Sequence, residues 1–136
     1  HHLSDIEGRE VYGVYADKDH SLPNDAPVQF IIKRGYDELI KGKKVLVVED
    51  LVTTGGSLKK VVEEARRVGA EVIGAVAVCN RGNVTEEMTG NPPRFESLLT
   101  VDLEQWPEAE CELCKNNIPV NTDVGHGKQY LASKAK

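Results

Sequence analysis

Two unbroken apolar runs, Val45-Leu-Val-Val48 and Val72-Ile-Gly-Ala-Val-Ala-Val78, flank an amphipathic segment, and that pattern leaves few folds open. An uninterrupted apolar run suits a strand covered on both faces. Between the runs, Leu58, Val61, Val62, Ala65 and Val68 recur at helical spacing. On the polar side, Lys59 stands four residues before Glu63 and Lys60 four before Glu64, a spacing that lends slight support to a helix. Gly69 sits where a helix-ending glycine belongs. Strand, helix and strand within about 35 residues make a right-handed βαβ unit with parallel strands. The expected fold class is therefore α/β: a three-layer, mostly parallel twisted sheet with flanking helices, Rossmann-like.

The flanking segments are read around this unit. Residues 1–9 look like the end of a helix that stops near Gly8, and Val11 to Tyr15 like a short strand. Asp17 to Pro27 is a polar loop containing His20, Asn24 and Asp25. Val28 to Ile32 is a second apolar run, and Arg34-Gly35-Tyr36 a turn leading into one helical turn, Asp37 to Ile40. Asn83 to Arg94 is loop-like, and Ser97 to Leu103 fits an edge strand. The polar stretch from Trp106 reads as irregular, which divides the chain into a core, 1–105, and a C-terminal tail, 106–136.

Composition narrows the function classes. A chain of 136 residues is the size of one domain and can bury roughly two-thirds of its unfolded surface. The net charge of −5, with no clustered basic patch, argues against a nucleic-acid partner. No apolar run approaches the ~20 residues of a membrane helix, and His1-His2-Leu3-Ser4 lacks the cationic and apolar regions of a signal peptide. Three cysteines do not make a disulfide framework, so a reducing cytoplasm is the expected location.

The turn between the first strand and the helix carries the chemistry. Glu49 and Asp50 follow the apolar run directly; Thr53, Thr54, Gly55, Gly56 and Ser57 then lead into the helix. Ligands in open α/β sheets bind at the carboxyl ends of strands. There, glycines admit close backbone approach, the helix N-terminus adds partial positive charge, and three hydroxyls add donors. The result is a cradle for one phosphate. It is not a Walker loop, since no Gly-Lys-Ser/Thr follows, nor a dinucleotide Gly-x-Gly-x-x-Gly. Paired carboxylates beside it would repel a bare polyphosphate, but they suit the two hydroxyls of a ribose whose 5-phosphate fills the cradle. An ordinary capped helix after a core strand leaves that pair unexplained.

The segment Val45 to Ser57 resembles the signature loop of the type I phosphoribosyltransferases: four apolar residues, two acidic, an apolar pair, then Thr-Thr-Gly-Gly-Ser. The resemblance implies that Glu49 and Asp50 hold the ribose hydroxyls and that Thr53, Thr54, Gly55, Gly56 and Ser57 hold the 5-phosphate. Within the family the chain is most similar to the orotate enzymes. Tyr15-Ala-Asp-Lys-Asp19 resembles the strand end where those enzymes carry Arg-Lys-Glu, so Lys18 falls on the lysine that contacts the diphosphate. Asp17 departs from the arginine. Asn80-Arg81 resembles their Asp-Arg pair, whose arginine holds the orotate carboxylate, and a guanidinium fork suits that group.

The implied reaction is transfer of phosphoribosyl from 5-phosphoribosyl 1-diphosphate to a ring nitrogen of a nucleobase, with release of diphosphate. Lys18 and Asp50 are the expected catalytic residues. Mg²⁺ is carried by the substrate rather than by a protein cage, and a homodimer is expected. A purine-type enzyme of the same family and a non-catalytic sensor of the sugar diphosphate are the alternatives. The family's opening strand, its small-residue diphosphate loop and its base-covering hood have no match here, and of its flexible catalytic loop only His20 finds a counterpart. The expectation is a fragment of a longer protein rather than a degenerate relative.

Cys111-Glu-Leu-Cys114 reads as two ordinary thiols in the tail. The alternatives are half of a zinc site completed by His126 or Cys79, and a redox pair.

Overall fold

The computed structural model describes residues 2–19, 21, 23, 27–103 and 106–134. His20, Asn24 and Asp25 lie outside the described residues. The chain divides into two compact units, residues 1–103 and 104–136.

The first unit opens with a short helix, α1 (His2–Glu7), ended by Gly8 at φ 61°. Val11 to Tyr15, expected as a strand, is open chain. The first strand is instead β1 (Asp17–Lys18), antiparallel to β2 (Phe30–Ile31), so the expected loop begins inside a strand. Asp17 lies 3.3 Å from Arg34 and 3.7 Å from Lys33, an anchoring role that the sequence comparison did not foresee. After the turn at Gly35 comes α2 (Tyr36–Ile40).

The expected βαβ unit follows as β3 (Lys44–Val52), α3 (Gly56–Arg67) and β4 (Glu71–Asn80). β5 (Phe95–Thr100) completes a sheet of order β3-β4-β5, parallel throughout. Helix α3 lays Leu58, Val62 and Ala65 in the core with Val47, Ala75 and Ala77 of the sheet. Burial of a side chain such as Leu58 or Val62 stabilises by roughly 1.5–3 kcal/mol.

The sheet departs from expectation on its other side. Leu46, Val48, Val78 and Leu98 are exposed, Val48 to 70% and Leu98 to 80%. The apolar runs are thus covered on one face, not two, and within this chain the architecture is a parallel sheet with flanking helices on its covered side.

The second unit is not irregular. It contains a 3-10 turn at Glu108–Glu110, a short helix α4 (Glu112–Lys115) and a two-turn helix α5 (Gly127–Lys134). Glu108 accepts from Tyr130 at 3.0 Å and pairs with Lys134, which ties α5 to the 3-10 turn. No helix among the described residues is long and apolar enough to cross a membrane.

Candidate functional site

Strand β3 runs four residues past its apolar stretch, so Glu49 and Asp50 lie within the strand rather than after it. Glu49 is half-buried and Asp50 exposed. Asp50 Oδ1 accepts the Leu51 amide at 2.7 Å. Burial, followed by a hydrogen bond and charge repulsion from Asp50, raises the Glu49 pKa above the ordinary carboxylate value. Adjacent carboxyl groups at this strand end can accept hydrogen bonds from hydroxyls.

Beyond Val52 the chain turns through Thr53 and Thr54 into α3. Gly55 occupies the position before the helix at φ 75°, ψ −10°, and no side chain caps that end. The first amides of a helix have no intrahelical acceptor, so they face whatever lies at this turn. Thr54 Oγ1 accepts the Gly56 amide only loosely, at 3.5 Å.

The two glycines divide the work. Gly55 is buried, and a Cβ there would stand 2.8 Å from the Met88 carbonyl oxygen and 2.9 Å from Val84 Cγ1. Its requirement is conformation and packing. A Cβ on Gly56 would meet only Thr54 Oγ1, at 3.6 Å. Gly56 is therefore the glycine that leaves room for a ligand.

A second turn closes against the first. At the end of β4 the buried Asn80 side chain donates to the Val84 carbonyl at 2.9 Å and accepts the amides of Val84 at 2.9 Å and Gly82 at 3.3 Å. This network folds residues 80–84 back on themselves and sets Arg81 at the bend. The Arg81 amide donates to the Val52 carbonyl at 2.8 Å, joining the two turns. A Cβ on Gly82 would stand 1.9 Å from the Thr53 carbonyl oxygen, so the turns meet backbone to backbone. Arg81 Nε is buried without a hydrogen-bond partner among the described residues, a donor that an anionic ligand would satisfy.

The structure thus brings Glu49, Asp50, Thr53, Thr54, Gly55, Gly56, Ser57 and Arg81 to neighbouring ends of two parallel strands. Lys18 belongs to the other sheet, exposed on β1 opposite Phe30. Sequence reasoning missed Asn80 as the organiser of the Arg81 turn and Gly82 as its contact with Thr53. The Asn-Arg-Gly order at a strand end was the available signal.

A family model for the phosphoribosyl transferase domain matches residues 16–109. An orotate phosphoribosyltransferase of Caldanaerobacter subterraneus subsp. tengcongensis is 44% identical over 89 residues, covering 65% of this chain and 45% of that protein. The Pelotomaculum thermopropionicum orotate phosphoribosyltransferase is 33% identical over 109 residues, covering 80% and 52%. That of Thermotoga maritima is 40% identical over 97 residues, covering 71% and 49%. The chain spans about half the length of these curated relatives. With the matched domain covering most of its length and the Thr53–Ser57 turn and paired carboxylates at the end of a parallel strand, this chain belongs to the type I phosphoribosyltransferase family.

Proposed function

We propose that the protein containing this chain transfers phosphoribosyl from 5-phosphoribosyl 1-diphosphate to orotate, releasing diphosphate. The observation that carries the reading is the pairing of an uncapped helix start at Gly55–Gly56 with the Glu49–Asp50 carboxylates on the strand leading into it. The 5-phosphate takes the helix amides and the hydroxyls of Thr53, Thr54 and Ser57. Glu49 and Asp50 accept from the ribose hydroxyls.

Arg81, with its orphaned buried Nε, supports orotate over a base that lacks a carboxylate. Mg²⁺ arrives on the diphosphate. That suits an ion held mainly by substrate oxygens, with one or two carboxylates adding to the shell.

During transfer, negative charge grows on the leaving diphosphate and positive charge on the ribose ring. Asp50, beside the ring, steadies the cationic sugar. Lys18 offers its ammonium to the diphosphate. Rate then comes from positioning and fixed charge rather than from a covalent intermediate.

The test is loss of orotate absorbance in the presence of Mg²⁺ and the sugar diphosphate, measured on the protein that contains this chain. Turnover with orotate and not with hypoxanthine supports the reading. The reverse preference assigns a purine-type enzyme, and binding of the sugar diphosphate without turnover on either base assigns a sensor.

A further inference from the structure

The second unit carries chemistry that the transferase reading does not use. Cys111 precedes α4, and its Sγ accepts the Cys114 amide at 3.4 Å. Cys111 caps the helix and Cys114 lies three positions on in its first turn, so the Cys111 sulfur lies against the backbone of the residue that carries the second thiol. Cys111 is half-buried and Cys114 exposed, which leaves both within reach of a small reagent.

The two thiols differ. The Cys114 amide first, and its thiol next, hold the Cys111 pKa below the ordinary thiol value, against burial and a smaller opposing effect of Glu112. Cys114 is pushed the other way, first by its hydrogen bond to Cys111, with Glu108 adding to the rise and Lys134 opposing it. The two thiols are biased in opposite directions, Cys111 toward the thiolate and Cys114 toward the thiol, the division of labour that thiol–disulfide exchange uses. No third metal ligand joins them among the described residues.

The geometry points to Cys111 and Cys114 as a reversible thiol–disulfide couple whose oxidant is a small organic disulfide, with Cys111 as the attacking sulfur. The Cys111 thiolate attacks one sulfur of the disulfide, breaks its S–S bond and expels one thiolate. Cys114 then loses its proton and attacks Cys111 Sγ, and the second thiolate leaves. The chain is oxidised by two electrons, and the organic disulfide is reduced to two thiols.

The experiment exposes the reduced full chain to glutathione disulfide, quenches by alkylation and reads intact mass. The expected product has lost two hydrogens, about 2 Da, with Cys111 linked to Cys114 and Cys79 alkylated. Cys114→Ser should instead accumulate a stable mixed disulfide on Cys111. Cys111→Ser should react with glutathione disulfide several-fold more slowly than Cys114→Ser. Unresolved mixed disulfides in the unsubstituted chain, or equal rates in the two variants, would overturn the assignment. So would stoichiometric capture of Zn²⁺ from a chelating indicator that requires both cysteines, which would make the pair a metal site.

Discussion

Glu64, on α3, accepts the backbone amide of Ile32 at 3.0 Å, so one buried carboxylate fastens the residue after β2 to the helix that follows the Thr53–Gly55 turn. The same carboxylate accepts two hydrogen bonds from Arg67, at 2.5 and 2.8 Å. The Arg67 hydrogen bond, helped by the Ile32 amide, lowers the Glu64 pKa despite burial. A lowered folded-state pKa contributes stability above the unfolded value and loses it as pH falls through the folded one. Glu64→Ala, which strands the Ile32 amide, should cost roughly 1–3 kcal/mol. Glu64→Gln, which can still accept that amide, should cost less and flatten the acid limb. Denaturant unfolding between neutral and acid pH checks both; an unchanged acid limb in Glu64→Gln would remove Glu64 as its source.

Asp50→Asn removes an acceptor proposed for a ribose hydroxyl. Hydrogen bonds to a charged group contribute roughly 1.5–3 kcal/mol, so affinity for 5-phosphoribosyl 1-diphosphate should fall about tenfold or more. The Glu49 pKa should move down, because Asp50 supplies both a hydrogen bond and a charge that raise it. Calorimetry reads the first effect and carboxylate NMR the second. Unaltered affinity in the folded variant would dismiss the ribose assignment.

Gly55 and Gly56 should respond differently to alanine. Gly55→Ala meets a backbone oxygen at 2.8 Å in a left-handed conformation and should lower the melting temperature. Gly56→Ala should leave the melting temperature nearly unchanged while weakening ribose 5-phosphate binding. Normal ligand affinity in Gly56→Ala would place the cradle elsewhere.

Arg81→Ala, made in the protein that contains this chain, should raise the orotate KM far more than that of the sugar diphosphate. Equal changes in both would leave the family and remove orotate.

Gly82→Ala forces the Thr53 carbonyl and the Arg81 turn apart. Overpacking of this kind costs roughly 1–3 kcal/mol, read as a lower denaturation midpoint. A midpoint equal to that of the parent would mean that the turns part without strain.

Much of the site was legible because its signals are local. The apolar run, the acidic pair and Thr53 to Ser57 are consecutive, and the helix after them carries its own periodicity. What escaped the sequence depends on distant partners. Val11 to Tyr15 has the composition of a strand but joins no sheet among the described residues, whereas Asp17 and Lys18 look like loop residues yet find Ile31 and Phe30. The length of β3 is set by pairing with β4 out to Asn80, which draws the carboxylates into the strand. The open sheet face was hidden because an apolar run reads alike whether one face is covered or both. Gly82 looked like any turn glycine; its requirement lies in Thr53, 29 positions earlier, as their numbering shows.

That backbone contact also bears on the order in which ligands bind. With no space between Thr53 and Gly82, the Thr53–Gly55 turn and the Arg81 bend cannot stiffen separately. A sugar phosphate that immobilises the first immobilises the second, and the conformational entropy of both is lost in that one event. On the proposed function the base then meets an Arg81 backbone already held still, so orotate should bind more tightly after ribose 5-phosphate than before it. Linkage requires the reverse enhancement to be equal, and titrations in the two orders would measure how rigid the seam is.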